Sequence, residues 1–381
     1  MTRLVRVALL SLCLAAPGAP AQQPPSRFAD AGAAADAKRV LVETVAEGLE
    51  HPWGLAFLPD GRMLVTERPG RLRLVGRDGR VSAPLAGVPE VQASGQGGLL
   101  DVAVDPDFAS NRSIYLSYAE PGEAGAGTAV ARAVLGAEGL SELRVIYRQQ
   151  PKVRGGNHFG SRLVFGKDGT LFVTLGDRYA HREKAQDLST TIGKIVRIRR
   201  DGSIPPDNPF VGQAGARPEI WSYGHRNVQG AALDPATGQL WTAEHGARGG
   251  DEINRPQAGR NHGWPVITYG VDYSGARIGS GTEAPGMEQP VHYFDPSIAP
   301  SGLVFYTGDA FPQWKGHLLV GSLKFTHLAR LALRDGRVVS EQRYLQDRGE
   351  RIRDVVQGPE GYVYLLTDSP EGKLLRLRPA K

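Results

Sequence analysis

Cysteine is almost absent from this sequence: the single thiol, Cys13, lies within the first 21 of 381 residues. Those residues carry Arg3 and Arg6 ahead of an apolar run too short to span a bilayer, and they end in Ala19-Pro20-Ala21, a small-x-small cleavage site. We therefore predict a cleaved secretory signal over residues 1–21 and an exported protein, periplasmic or secreted. The mature chain then has no thiol for disulfides or cysteine chemistry.

Other absences narrow the class of protein further. No second apolar run approaches the roughly 20 residues of a transmembrane helix, which predicts that the mature chain has no membrane span. The formal net charge is only +5 and forms no basic stripe, which argues against nucleic-acid binding. Neither a Gly-x-Gly-x-x-Gly turn leading into a helix nor a Gly-Lys-Ser/Thr phosphate loop is present, so a nucleotide cofactor is not expected.

Long amphipathic helical patterns are also missing. Residues 22–39 are rich in Ala, Pro and polar residues without a strand period, and we interpret them as a flexible leader. From Val40 to the end at residue 381, short apolar runs alternate with turn residues, and 49 glycines are present in the whole chain. This pattern predicts an all-β domain over residues 40–381.

One unit recurs six times in that domain: an apolar strand, a turn with Pro, Asp or Gly, and a second apolar strand. Successive copies begin 47 to 72 residues apart, at Gly54, Asp101, Arg162, Gly230, Gly302 and Asp354. This spacing leaves room for two more strands in each unit. It predicts a six-bladed β-propeller with four-stranded blades, with an irregular pair of β-sandwiches as the alternative.

Polar residues cluster just before the first strand of several units. The first strand of each propeller blade lines the central channel, so the residues that precede it meet at one mouth. A lone histidine or arginine there is usually structural or solvated, but the pattern occurs in four blades. The residues concerned are Gln96, Asn157, His158, His225, Arg226, Asn227, Arg351 and Arg353.

The charges in and near this set have mostly one sign. Lys324, Arg226, Arg351 and Arg353 supply cations with almost no acid beside them. Such a pocket suits a ligand that carries several carboxylates or phosphates.

A second cluster, rich in glycine and acids, follows the fourth repeat over residues 243–273. Glu244, Asp251, Glu252 and Asp272 offer the hard oxygen ligands that calcium prefers, and the glycines can turn backbone carbonyls inward. Zinc is disfavoured because the nearby histidines lack helical spacing and no cysteine is present. An acidic loop that binds no metal is the alternative.

The motifs in these regions resemble a known family. They read GQGGLLDVAVDPDF, GNHFGSRLVFGKDGTLFVTLGD, EIWSYGHRNVQGAALDP, EHGARGGDEIN, NHGWP and RIRDVVQGPEGYVYLLTD, in this order. The resemblance is to the soluble pyrroloquinoline-quinone-dependent aldose sugar dehydrogenases of the glucose/sorbosone dehydrogenase family. It implies a six-bladed propeller that binds pyrroloquinoline quinone and Ca²⁺ and oxidises an aldose at C1 to the lactone. It leaves the external electron acceptor unidentified.

The resemblance also implies roles for individual residues. His158 matches the general base, and Arg226 matches a catalytic residue that contacts the quinone. The other positions that match cofactor contacts are Gln96, Asn157, Asn227, Lys324, Arg351 and Arg353. The backbone carbonyls of Gly246 and Ala247 match ligands of a catalytic calcium, and Glu252 with the carbonyl of His262 match a second, structural calcium.

Three departures from the family pattern affect substrate and metal. Asn157 stands where the glucose enzyme has an acid, His245 replaces a glutamine beside the calcium loop, and residues 295–302 lack the tryptophan of the glucose enzyme. These differences predict a broad aldose range rather than a preference for glucose. Two other function classes are alternatives: a non-catalytic propeller that binds sugars or partners, and a calcium-dependent lactone hydrolase.

Overall fold

The computed structural model describes residues 40–380. The predicted signal (1–21) and leader (22–39) lie outside the described residues. In the described part, antiparallel strands form six sheets, and the first strands of neighbouring sheets contact one another in a closed ring. The six-bladed propeller predicted from the repeats is therefore confirmed.

The strands follow one another in chain order, beginning with β1 (Val40–Leu49). Blade one contains β2 (Pro52–Phe57), β3 (Met63–Glu67) and β4 (Arg71–Val75). Blade two contains β5 (Leu99–Val104), β6 (Ser113–Gly122), β7 (Gly125–Leu135) and β8 (Leu140–Arg148). Blade three contains β9 (Leu163–Phe165), β10 (Leu171–Thr174), β11 (Lys194–Ile198) and β12 (Ile220–Tyr223).

The second half of the chain repeats the arrangement. Blade four contains β13 (Val228–Leu233), β14 (Leu240–Glu244), β15 (Asp251–Asn254) and β16 (His292–Phe294). Blade five contains β17 (Pro300–Phe305), β18 (Leu318–Ser322), β19 (Leu328–Arg334) and β20 (Arg337–Tyr344). Blade six contains β21 (Ile352–Gln357), β22 (Val363–Thr367) and β23 (Gly372–Pro379), and β1 joins it.

Helical structure within residues 40–380 is limited to short turns. They are an α-helical turn, α1 (Phe108–Asn111), and 3-10 turns at Arg182–Gln186, Pro312–Trp314 and Gln346–Arg348. None of the described helices has the length and apolar character needed to cross a membrane.

Blades one and six differ from the other four in how their sheets are completed. In blade one, Ser82 N donates to Leu74 O (2.8 Å) and Leu85 N donates to Leu72 O (2.8 Å), so an irregular segment occupies the place of the fourth strand. In blade six, β1 pairs antiparallel with β23, with Val42 opposite Leu377. The N-terminal strand of the described chain therefore completes the last blade and closes the ring.

Apolar side chains fill the spaces between neighbouring blades. Leu55 and Val65 of blade one pack against Leu366 and Leu374 of blade six, and all four are buried. Burial of a side chain of this size stabilises the fold by about 1.5–3 kcal/mol. The apolar strands of the repeat thus supply the core, and the loops at the blade ends are left to carry the site.

A buried ion network occupies the channel itself. The Nη1 atom of Arg162 lies 3.1 Å from Asp101 Oδ1, and its Nη2 atom lies 2.9 Å from Asp354 Oδ1. Its guanidinium also lies 4.2 Å from the ring centre of Trp53. Arg162 thereby joins four blades, and its charge is neutralised within the fold. The sequence repeats did not reveal this network.

Candidate functional site

His158 lies on the loop that precedes β9, where residues of two blades meet. Its backbone N–H donates to Gln96 Oε1 (2.9 Å), which comes from the loop before β5. Its φ of 54° is left-handed, and a Cβ added to Gly176 would lie 2.1 Å from the His158 carbonyl oxygen. The close approach of these two loops therefore requires glycine at position 176.

The imidazole of His158 is oriented by Asp177. Its Nδ1 donates to Asp177 Oδ1 at 2.6 Å, and Asp177 Oδ2 accepts a hydrogen bond from Trp264 Nε1 at 2.8 Å. With Nδ1 assigned as the protonated nitrogen, Nε2 is the free acceptor. No group among residues 40–380 makes a hydrogen bond to Nε2 in the structure. This nitrogen is therefore available to take a proton from a ligand.

Burial also keeps this imidazole neutral. Desolvation lowers the pKa of His158 below its ordinary value, and the positive charge of Arg226 lowers it further. The hydrogen bond that His158 donates to Asp177 opposes both effects. A histidine with a lowered pKa is unprotonated at neutral pH, which is the form that a general base requires.

Arg226 lies beside this pair, on the loop before β13. Its backbone N–H donates to Glu244 Oε2 (2.9 Å), and its carbonyl accepts from Asp177 N (2.7 Å). Its guanidinium packs over Trp264 at 5.2 Å and donates to the backbone carbonyl of Gly246. The Nε atom is buried without a hydrogen-bond partner. Arg226 thus links the candidate base to the segment predicted to bind calcium.

Two asparagines near the base differ in environment. Asn227 is buried; its Oδ1 accepts from Gly160 N (3.1 Å), whereas its Nδ2 has no partner. Asn157 is exposed, and its carbonyl accepts a hydrogen bond from Arg178 Nη1 (2.9 Å). The unpaired donor of Asn227 is the stronger indication of a ligand contact.

The cations of the sixth blade share one carboxylate that sequence reasoning missed. Arg353 Nη2 and Arg351 Nη2 lie 2.9 Å and 2.8 Å from Asp368 Oδ2. Burial of the carboxyl raises the pKa of Asp368, but the two guanidiniums outweigh this effect. The pKa of Asp368 therefore lies far below its ordinary value. Arg353 also donates to Gln229 Oε1 (2.7 Å). Two cations against one carboxylate leave an excess of positive charge there.

The backbone next to Lys324 contacts Arg351: Arg351 Nη1 donates a hydrogen bond to the carbonyl of Leu323, the residue that precedes Lys324 (3.0 Å). Lys324 is exposed and lines a cavity of about 580 Å³ together with Arg248, Tyr269 and Asp295. The structure therefore joins Arg351 and Arg353 through Asp368, and it places the backbone next to Lys324 against Arg351. His158 and Arg226 form a second group. Burial lowers the pKa of His245, and the charges of Arg226, His158 and Arg353 lower it further.

The donors of these two groups fit an anion rich in oxygen acceptors. Nε of Arg226, Nε of Arg353 and Nδ2 of Asn227 are buried polar atoms without partners. Buried donors are normally satisfied, so three of them near one mouth call for a ligand that supplies acceptors. The carboxylate and carbonyl oxygens of a quinone such as pyrroloquinoline quinone meet this requirement.

The Asp251 carboxylate, in the segment after β14, is engaged by groups of the surrounding loops. Asp251 accepts from Gly246 N (2.8 Å), from Ala299 N (2.9 Å) and from the Ser297 hydroxyl, so its carboxylate is used to fix the loop. The Asp272 carboxylate lies 3.6 Å from Arg182 Nη1. Within residues 40–380, no three His, Cys, Asp or Glu side chains are grouped as a metal site. Carbonyl ligands at Gly246 and Ala247 are compatible with this finding.

Glu252 lies beside Glu244 rather than in an ion pair. Asn254 Nδ2 donates to both carboxylates, at 2.9 Å and 2.8 Å. Burial and the neighbouring acid raise the pKa of Glu252. The His262 ring stacks on His225 with 4.7 Å between centroids, and both of its nitrogens are buried without partners. The fit to a cation is clearest at Glu252, where a metal would relieve two crowded carboxylates.

The sequence profile of the Glucose / Sorbosone dehydrogenase family matches residues 49–376. An aldose sugar dehydrogenase of Escherichia coli (strain K12) is 51% identical over 346 residues, which cover 89% of this chain and 93% of that protein.

Two solved structures have the same architecture. The apo-form of the soluble aldose sugar dehydrogenase from Escherichia coli superimposes with a TM-score of 0.88 at 50% identity, over 90% of this chain and 100% of the other. The aldose sugar dehydrogenase from Streptomyces coelicolor, solved in its PQQ-bound form, gives a TM-score of 0.75 at 29% identity, over 90% and 99% of the two chains.

Proposed function

The chain belongs to the glucose/sorbosone dehydrogenase family, and from that premise we propose that it oxidises aldose sugars at C1 to the lactone with pyrroloquinoline quinone as cofactor. An external acceptor then receives the electrons. The observation that carries this proposal is a neutral, buried His158 whose Nδ1 is held by Asp177. The positive charge of Arg226 acts on this imidazole, and the Nε atom of Arg226 is buried without a hydrogen-bond partner.

His158 acts as the general base in this account. Its Nε2 takes the proton of the C1 hydroxyl, and the C1 hydrogen leaves as a hydride, so the sugar loses two electrons and becomes the lactone. When bound, the quinone would supply the two-electron hydride acceptor, and calcium would supply Lewis-acid polarisation of that acceptor. Proton transfer to a positioned base contributes about 10²- to 10⁴-fold to the rate.

Asp177 and Trp264 make this base competent. The carboxylate fixes the Nδ1–H tautomer and stabilises the imidazolium that forms, and the indole fixes the carboxylate. Arg226, held over the same indole, supplies positive charge where negative charge develops during hydride transfer.

The remaining cations hold the cofactor. Lys324, Arg351 and Arg353 bind its carboxylates, with Gln96, Asn157 and Asn227 as further contacts. The carbonyls of Gly246 and Ala247 bind the catalytic calcium, and Glu252 with the carbonyl of His262 binds a structural one. The carbonyl of Gly246 also accepts a hydrogen bond from Arg226, so a cation bound there would lie beside that guanidinium.

We assign the protein to the periplasm or the exterior on the basis of residues 1–21. The test of the proposal is an absorbance titration of the calcium-loaded protein with the quinone, followed by an aldose and a dye acceptor. We expect stoichiometric binding, sugar-dependent dye reduction, and loss of both after chelation of calcium. Quinone binding without turnover would favour the non-catalytic propeller, and lactone cleavage without quinone would favour the hydrolase.

A further inference from the structure

The turn after β10 carries two consecutive non-glycine residues in left-handed conformation. Arg178 has a φ of 57° and Tyr179 has a φ of 61°. This conformation is unfavourable for a residue that carries a Cβ atom. Strain of this kind persists where the surroundings over-determine it, and it concentrates at functional sites.

Buried contacts hold this turn in place. Tyr179 N donates to Asp177 Oδ1 at 2.8 Å, the same oxygen that binds His158. The Arg178 side chain is almost fully buried, with its guanidinium 3.5 Å from the ring centre of Phe159 and Nη1 donating to Asn157 O. The turn and the loop that carries His158 are therefore locked together as one unit.

The consequence of the strained turn is the position of one aromatic ring. The centroid of Tyr179 lies 5.3 Å from that of His158, and the two ring planes are inclined by 80°. Tyr179 is nevertheless 50% exposed. Packing of the core does not explain this position, because half of the Tyr179 side chain is exposed to solvent while its ring contacts the buried His158.

We propose that Tyr179 forms the aldose-ring subsite of this enzyme, an aromatic wall against which the apolar face of the sugar packs while its C1 hydroxyl meets His158. The inference rests on the proposed function. Sugar C–H groups carry partial positive charge and suit the negative face of an aromatic ring.

The location separates this subsite from the cofactor contacts. Tyr179 belongs to blade three and is attached to the base through Asp177. The cations proposed for the quinone carboxylates, Lys324, Arg351 and Arg353, come from blades five and six. The Tyr179 ring carries no charge to pair with a carboxylate, and its apolar face suits the C–H face of an uncharged sugar. Recognition by apolar contact rather than by fixed hydrogen bonds also agrees with a broad range of aldoses.

Steady-state kinetics of Tyr179 variants test the subsite. We expect Tyr179→Ala to raise KM for aldoses about tenfold, with quinone affinity within about twofold of wild type. Tyr179→Phe keeps the ring and should behave like the wild type. Val339→Ala, which removes an exposed apolar side chain from the outer strand β20, is the control and should change neither value.

A binding measurement separates failure of the subsite from failure of the proposed function. Saturation-transfer NMR with 1,5-anhydroglucitol, which lacks the C1 hydroxyl, reports sugar contact with the wild type and Tyr179→Ala, both with and without quinone. We expect transfer to the sugar C–H protons in the wild type and in Tyr179→Phe, and its loss in Tyr179→Ala. Equal transfer in all three proteins, no transfer in the wild type, or loss of quinone affinity in Tyr179→Ala would overturn the subsite. A wild type that contacts the sugar through Tyr179 but binds no quinone would instead refute the proposed function alone.

Discussion

The carboxylate of Asp177 accepts hydrogen bonds from Nδ1 of His158 at 2.6 Å and, through its other oxygen, from the indole of Trp264 at 2.8 Å. Trp264 lies 87 residues away in sequence from Asp177. One carboxylate therefore connects the candidate base to the loop that follows blade four's third strand, and it fixes which imidazole nitrogen is free.

Replacement of Asp177 tests this relationship. We expect Asp177→Asn to lower kcat by about a hundredfold or more, because an amide does not hold the required tautomer. Asp177 raises the pKa of His158, so its loss should move the acidic limb of the kcat/KM profile to lower pH. The exposed Asp201→Asn is the control. An acidic limb that stays in place, with kcat near that of the wild type, would remove Asp177 from the account.

Replacing Lys324 and replacing Arg353, the cations proposed to hold the quinone at the mouth of the channel, should affect the stability of the fold differently. We expect Lys324→Ala and Arg353→Ala each to weaken quinone binding by about 2–4 kcal/mol, because a desolvated carboxylate loses its partner. Lys324 is exposed, whereas Arg353 is buried and pairs with Asp368. Only Arg353→Ala should therefore also lower the melting temperature. Quinone titration and calorimetry check both expectations, and unchanged quinone affinity in either variant would place that residue outside the pocket.

Glu252 should control the response of stability to calcium and pH. Its pKa in the folded protein is raised above the ordinary value near 4.5, so the folded state retains a proton that the unfolded chain releases as pH rises. Stability in chelator should therefore fall as pH increases above about 4.5, and calcium should offset the loss. Glu252→Gln should flatten this dependence.

The comparison that checks Glu252 is the melting temperature with calcium and with chelator. In calcium we expect Glu252→Gln to melt a few degrees below the wild type while it still binds the quinone, and in chelator at alkaline pH we expect it to melt higher. The exposed Glu371→Gln serves as the control. A melting temperature that responds to neither calcium nor this substitution would eliminate the structural site.

Much of the fold could be predicted from the sequence because the strand–turn–strand pattern of each blade is local in the chain. Each repeat forms the first two strands of one blade, and the six copies are enough to specify the propeller. The position of His158 next to Gln96 also followed from the repeats, since both residues precede first strands. The irregular edge of blade one did not follow, because residues 81–85 carry no strand pattern of their own.

Residues that act through pairing across blades could not be predicted. Asp177 ends an ordinary turn motif, TLGD, and Asp368 lies after a strand where acids are common. Only the fold brings Asp177 to His158 and Asp368 to two arginines. The left-handed backbone conformation of Tyr179 could not be predicted from the sequence either, because a positive φ is uncommon for tyrosine.

The most direct test of His158 as general base is the rate of quinone reduction by an aldose in a single turnover, followed by absorbance in quinone-loaded wild type and in His158→Gln. The account predicts that His158→Gln binds the quinone with nearly unchanged affinity and reduces it at least about a hundredfold more slowly. Reduction at the wild-type rate, or a loss of quinone affinity equal to the loss of rate, would contradict it.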